Sequence, residues 1–96
     1  MVEQRVQVVN VLGLHARAAA RFVRAATRFR SEITVSKDGT TTDGKSILGI
    51  LSLAASVGSE IVITASGEDE RDALDVLVTL VGDGLGDEDL GVGTKG

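Results

Sequence analysis

The sequence predicts an α+β domain in which a mostly antiparallel sheet carries helices packed on one face. Three observations predict it. Strand and helix periodicities alternate in the order β-α-β-β-α-β-α up to about residue 82. One tight hairpin signal, Asp38-Gly39, joins two of the strands directly. The 96 residues admit one small domain, and with Phe22 and Phe29 as its only aromatics the core must be Val, Ile, Leu and Ala.

The elements follow in order along the chain. Val2, Arg5, Val6, Gln7, Val8 and Val9 form a Val-rich strand, and Asn10 to Leu14 is a loop with Gly13 as its turn residue. From about Ala16 to Phe29 the spacing is helical. Ala19, Phe22, Val23, Ala26 and Phe29 share one face, and Arg17, Arg21, Arg24 and Arg28 share another. Glu32 to Ser36 alternates as a strand, turns at Lys37-Asp38-Gly39, and returns over Thr40 to Asp43. Ser46 to Ala54 is a short helix, with Ile50 and Ala54 pointing inward and Ile47, Leu48 and Leu51 partly exposed. Gly58 closes the next loop, and Glu60 to Ser66 is a strand. Glu68-Asp69-Glu70 opens a last helix to Val81, acidic in its first turn as the helix dipole favours. Residues 83–96, rich in Gly and Asp and without periodicity, read as a disordered tail.

Composition excludes several classes. Without cysteine there is neither a disulfide framework nor a thiolate metal site, and one His leaves any zinc site resting on carboxylates, so no metal or cofactor is implied. Neither a signal peptide nor an apolar run of the roughly 20 residues that span a bilayer is present, which predicts a cytoplasmic chain without membrane insertion. Residues 1–59 carry 8 basic and 4 acidic side chains, and residues 60–96 carry 2 and 10, so the net charge of −4 hides a dipole. The basic half lacks Tyr and Trp for base stacking, so nucleic acid is not an expected partner.

His15 is the only imidazole, and its position singles it out. It follows Gly13-Leu14 directly before the first helix, where free first-turn N–H groups and the helix dipole favour a bound anion. The same positive end favours neutral, nucleophilic imidazole. A phosphoryl group on the ring would meet the backbone amides of Ala16 and Arg17 and the Arg17 guanidinium, a charge-assisted partner for phosphate oxygens.

The run Leu12-Gly13-Leu14-His15-Ala16-Arg17-Ala18-Ala19 resembles the GLHARPA motif of the histidine-containing phosphocarrier (HPr) family of the bacterial phosphoenolpyruvate-dependent phosphotransferase system. Asp43-Gly44-Lys45-Ser46-Ile47-Leu48-Gly49-Ile50 is similar to the family's second signature, around its regulatory serine. The resemblance implies an open-faced β-sandwich of four antiparallel strands with three helices on one side. It implies a monomeric carrier, not a turnover enzyme, whose His15 takes phosphate on Nδ1 from phospho-enzyme I and passes it to an enzyme IIA domain. Arg17 would stabilise the phosphate, and Ser46 would be the site for HPr kinase/phosphorylase. Ala18 stands where the family has Pro, a residue that pre-sets a first-turn φ; Ala, a strong helix former, should keep the helix with a less rigid start. The sequence LHARAA is similar to the nitrogen-related branch, NPr, so the output is sugar transport or regulation.

Each motif also has a plainer explanation. Ser46 opens a helix and is first of all an N-cap. Ile47, Leu48 and Leu51 wrap more of their helix than burial needs, which fits an apolar docking patch for enzyme I and enzyme IIA. Arg21 and Arg24 are expected to steer acidic partners, and Arg28 to be merely solvated. Gly39 to Ser46 matches the P-loop pattern GxxxxGK[ST], yet the chain is too short for several βα units and Asp38-Gly39 starts a hairpin there. The remaining alternative, a small non-catalytic α+β binding or regulatory module, leaves the His15–Arg17 pair unexplained.

Overall fold

The computed structural model describes residues 1–87. Its elements are β1 (Val2–Gln7), α1 (Ala16–Ala26), β2 (Glu32–Lys37), β3 (Thr40–Asp43), α2 (Ile47–Ser52), β4 (Glu60–Ser66) and α3 (Glu70–Gly82). The four strands form one antiparallel sheet in the order β1-β4-β2-β3. Period-two alternation gives β4, which lies between β1 and β2, one buried face. Ile61, Ile63 and Ala65 turn into the core while Val62 and Thr64 face the other, half-exposed side. Ile33 and Val35 of β2 join the same buried face. Helices supply its other wall: Ala18, Ala19, Phe22 and Ala26 from α1, Ile50 from α2, and Ala73, Leu74, Leu77 and Val81 from α3. The Thr-rich β3 is a short edge strand, a form that resists pairing with other chains.

Several boundaries differ from the expectation, each for a local reason. Val8 is buried, but its N–H bonds Ser59 O and its C=O accepts from Gly58 N, so pairing passes from β1 into the loop before β4. Helix α1 stops at Ala26 because Arg28 N and Phe29 N bond Ala25 O and Ala26 O, three residues back, tightening the chain out of α geometry. Phe29 still packs against the core from that turn. Ala54 was expected to point inward. It lies beyond the end of α2, exposed and with φ 51°, and buried Leu53 takes the inward position.

Asp38 and Gly39 both have positive φ, 50° and 85°, as an Asp-Gly hairpin turn requires. Thr40 to Asp43 pairs with β2 along its length, so the P-loop-like residues form a strand edge instead of a phosphate cradle.

The largest revision concerns the C-terminal segment. Its first part, 83–87, is not a loose tail. Gly84 N bonds Val81 O and Leu85 N bonds Leu80 O, with Gly84 at φ 94°. These two bonds form a Schellman motif, which closes a helix and places the following apolar residue against its last turn. Leu85 is completely buried there. The remainder of the predicted tail, 88–96, lies outside the described residues.

Asp69 precedes α3 but makes no side-chain cap bond there. Its carboxylate instead accepts from Ser31 Oγ at 2.6 Å, Arg30 N at 2.9 Å and Ser31 N at 2.9 Å, tying α3 to the start of β2. The hydrogen bonds from the Ser31 hydroxyl and then the Arg30 amide lower its pKa from 3.8 to about 2. A depressed folded pKa stabilises above the unfolded value and is lost as pH falls through the folded one. Acid titration between about pH 4 and pH 2 should therefore cost the wild type more stability than Asp69→Asn. Urea midpoints measured across that interval check this, and parallel curves for the two proteins would refute it.

Candidate functional site

The site is built where β1 hands the chain to α1. Gly13 makes the turn with φ 67°, and a Cβ there would stand 2.5 Å from Ala55 O, so the position needs glycine on both counts. Leu14 N then bonds Ala55 O at 2.9 Å, and buried Asn10 donates from Nδ2 to Gly13 O at 2.8 Å. Held by these bonds, His15 is the N-cap of α1 in extended backbone conformation (φ −73°, ψ 178°), and its carbonyl accepts the helical bond from Ala19 N.

The ring is gripped on both edges. Nδ1 accepts from Arg17 N at 3.2 Å, as an N-cap side chain does. Nε2 lies 2.8 Å from Asp87 Oδ2. The same carboxylate accepts from Asn10 Nδ2 at 2.8 Å and from Arg21 Nη1 at 3.1 Å, and Arg21 also donates to Leu85 O. Burial acts to raise the Asp87 pKa, but the hydrogen bonds from Asn10, His15 and Arg21 and the nearby His15 charge outweigh it and hold the carboxyl below its ordinary value. Asn10 Oδ1 is the buried side-chain atom left without a partner among the described residues.

From its place before α1, His15 was expected at the positive end of the helix dipole. Its side chain is 21% exposed, and a carboxylate covers the Nε2 edge. Ala16 and Arg17 are exposed at the start of α1, and no ion pair among the described residues engages the Arg17 guanidinium. The Arg17 amide, expected to face a phosphate, already faces Nδ1. Arg21 turns inward to Asp87, and Arg24 stays exposed. On α2, Ile47 and Leu48 are 42% and 79% exposed and Leu51 is half-buried, as the wrap-around pattern suggested; Val11 and Leu12 are exposed as well.

Ser46 caps α2, its hydroxyl accepting from Gly49 N at 3.0 Å. A Cβ at Gly49, beside it, would run into Thr42 Oγ1, so a larger residue there would force that side chain to move. Ser46→Ala should lower folding stability by about 1 kcal/mol, the usual cost of a lost cap. A urea titration reads this directly, and an unchanged midpoint would show that the cap bond carries no weight.

Sequence reasoning missed Asn10 and Asp87. Asn10 reads as one more loop residue. Asp87 lies in a segment whose glycines suggested disorder, although Leu85 continues the apolar stripe of Leu74, Leu77 and Val81 at helical spacing.

An imidazole at a helix N-cap beside an exposed arginine, on a four-stranded sheet with three helices, is the arrangement that the resemblance to the histidine phosphocarriers implies. Comparison with known proteins agrees. The family model described as "PTS HPr component phosphorylation site" matches residues 2–83. The HPr-like protein Crh of Bacillus subtilis is 48% identical over 81 residues, covering 84% of this chain and 95% of that protein. The phosphocarrier protein HPr of Cupriavidus necator is 38% identical over 87 residues, covering 91% and 98%. The crystal structure of HPr from Thermoanaerobacter tengcongensis superposes with a TM-score of 0.88 at 43% identity, covering 92% of this chain and 99% of that one. The chain belongs to the HPr family, the phosphocarriers of the phosphotransferase system. The open-faced sandwich expected from the sequence is the fold observed. No helix among the described residues is long and apolar enough to cross a membrane.

Proposed function

We propose that His15 accepts a phosphoryl group on Nδ1 from phospho-enzyme I and passes it to an enzyme IIA domain. The observation that carries this reading is the pairing of Nδ1 with the Arg17 amide at the N-terminus of α1. Nδ1, the ring atom that accepts from the Arg17 amide, faces the first-turn N–H groups, where an anion is favoured. A phosphoryl group there also comes within the province of the exposed Arg17 side chain, which supplies two parallel donors. Ile47, Leu48 and Leu51 with Arg24 form the docking surface; Arg21 acts from within the site rather than by steering. The carrier works as a cytoplasmic monomer.

Ser46 is the regulatory position, modified by an HPr kinase/phosphorylase where the cell has one. Phosphate there adds a charge of about −1.5 to −2 at a helix start, which leaves the fold intact and repels an acidic partner. Crh of Bacillus subtilis, 48% identical, is described as the catabolite repression HPr, and that similarity supports regulation alongside sugar transport as the output. The test is labelling. With enzyme I and phosphoenolpyruvate the chain should gain one acid-labile phosphoryl group and lose it when enzyme IIA is added. A chain that gains none is a binding module instead.

A further inference from the structure

Asp87 is the charged group closest to His15, yet nothing in the phosphoryl relay described above uses it. Its carboxylate is 9% exposed and receives hydrogen bonds from three different parts of the chain: Asn10 in the loop after β1, His15 at the N-cap, and Arg21 on α1. The segment that delivers it is fixed by the Schellman closure of α3 and by the burial of Leu85. Such a converging arrangement holds one carboxylate against one ring nitrogen.

We propose that Asp87 is a positioning residue for His15, accepting Nε2–H so that Nδ1 keeps its lone pair toward the Arg17 amide. This deepens the carrier reading and rests on it. The two ring contacts agree on one tautomer. A carboxylate accepts, so Nε2 carries the proton; the Arg17 amide donates, so Nδ1 does not. The Nδ1 lone pair leaves the Arg17 N–H and attacks phosphorus. The Nδ1–P bond forms as the donor's bond to phosphorus breaks and its electron pair returns to the donor, and the released Arg17 N–H turns to a phosphoryl oxygen. Nε2 keeps its proton throughout, so the ring becomes cationic, and the Asp87 carboxylate stands against that new charge. Aspartate serves imidazole in this way in hydrolase triads, orienting the ring and stabilising the imidazolium. Arg21 and Asn10 in turn keep the carboxylate aimed.

The experiment uses the full chain with Asp87→Ala, Asp87→Asn and Asp87→Glu. Rapid-quench labelling from phospho-enzyme I should show the maximal rate reduced about tenfold or more in the Ala and Asn variants, the loss of one charge-assisted hydrogen bond to the reacting ring. KM for phospho-enzyme I should be unchanged, and Asp87→Glu should recover part of the rate. In the unphosphorylated wild type, nitrogen NMR should show His15 Nε2 protonated with a slowly exchanging N–H signal that Asp87→Ala loses. A variant chain that labels at the wild-type rate, or a wild type whose neutral ring carries its proton on Nδ1, overturns the proposal while the carrier reading stands. A wild-type chain that takes no label overturns the carrier reading, and the role of Asp87 in transfer falls with it.

Discussion

His15→Ala, incubated with enzyme I and phosphoenolpyruvate, is expected to take up no acid-labile phosphoryl group while keeping the wild-type fold. The loss should be complete because the chain offers no second imidazole. Stability should change far less than activity. The side chain is partly exposed, and what it gives the fold is one cap bond to Arg17 N and one contact to Asp87. Loss of an N-cap costs about 1 kcal/mol, a small part of the 5–15 kcal/mol typical of a domain. Mass spectrometry of the intact protein under neutral conditions reads the label, and circular dichroism reads the fold. A labelled His15→Ala chain would place the acceptor elsewhere.

Leu85→Ala should produce the largest change in stability, about 2–5 kcal/mol, the range found for truncating a buried leucine. Leu85 is completely buried although it follows the last helix and has φ 57°, a left-handed conformation that costs a side-chain-bearing residue energy. Burial against the end of α3 holds it there. Asp83→Ala, two residues earlier and exposed, should shift stability by no more than about 0.5 kcal/mol. Equal and small effects at both positions, measured by urea unfolding, would mean that the segment after α3 contributes nothing to the core.

These two residues also mark what the sequence made legible. His15 was readable because its signal is local: a lone imidazole, a glycine turn two residues before it, an arginine two after it, and a helix beginning between. The strands were readable for the same reason, since alternation in Glu60 to Ser66 and the Asp38-Gly39 turn set their own geometry. Sheet order was not, because nothing within β4 says that it lies between β1 and β2. Asp87 is a long-range case, its partner His15 lying 72 residues away. The glycines around it were read as a sign of disorder, whereas Gly84 supplies the left-handed turn that returns Leu85 to the core and Gly86 continues with positive φ. Charge segregation along the chain was readable, and its use was not. The acidic second half sends Asp69 to the backbone of Arg30 and Ser31 and Asp87 to His15 and Arg21, so the two halves are stitched together by carboxylates.

The most direct test of the account is the site of the phosphoryl group on the ring. Nitrogen-15 and phosphorus-31 NMR of the chain labelled by enzyme I should show phosphorus coupled to Nδ1 of His15, with Nε2 facing Asp87. Coupling to Nε2 of that ring, or a phosphoryl group on another residue, would contradict it.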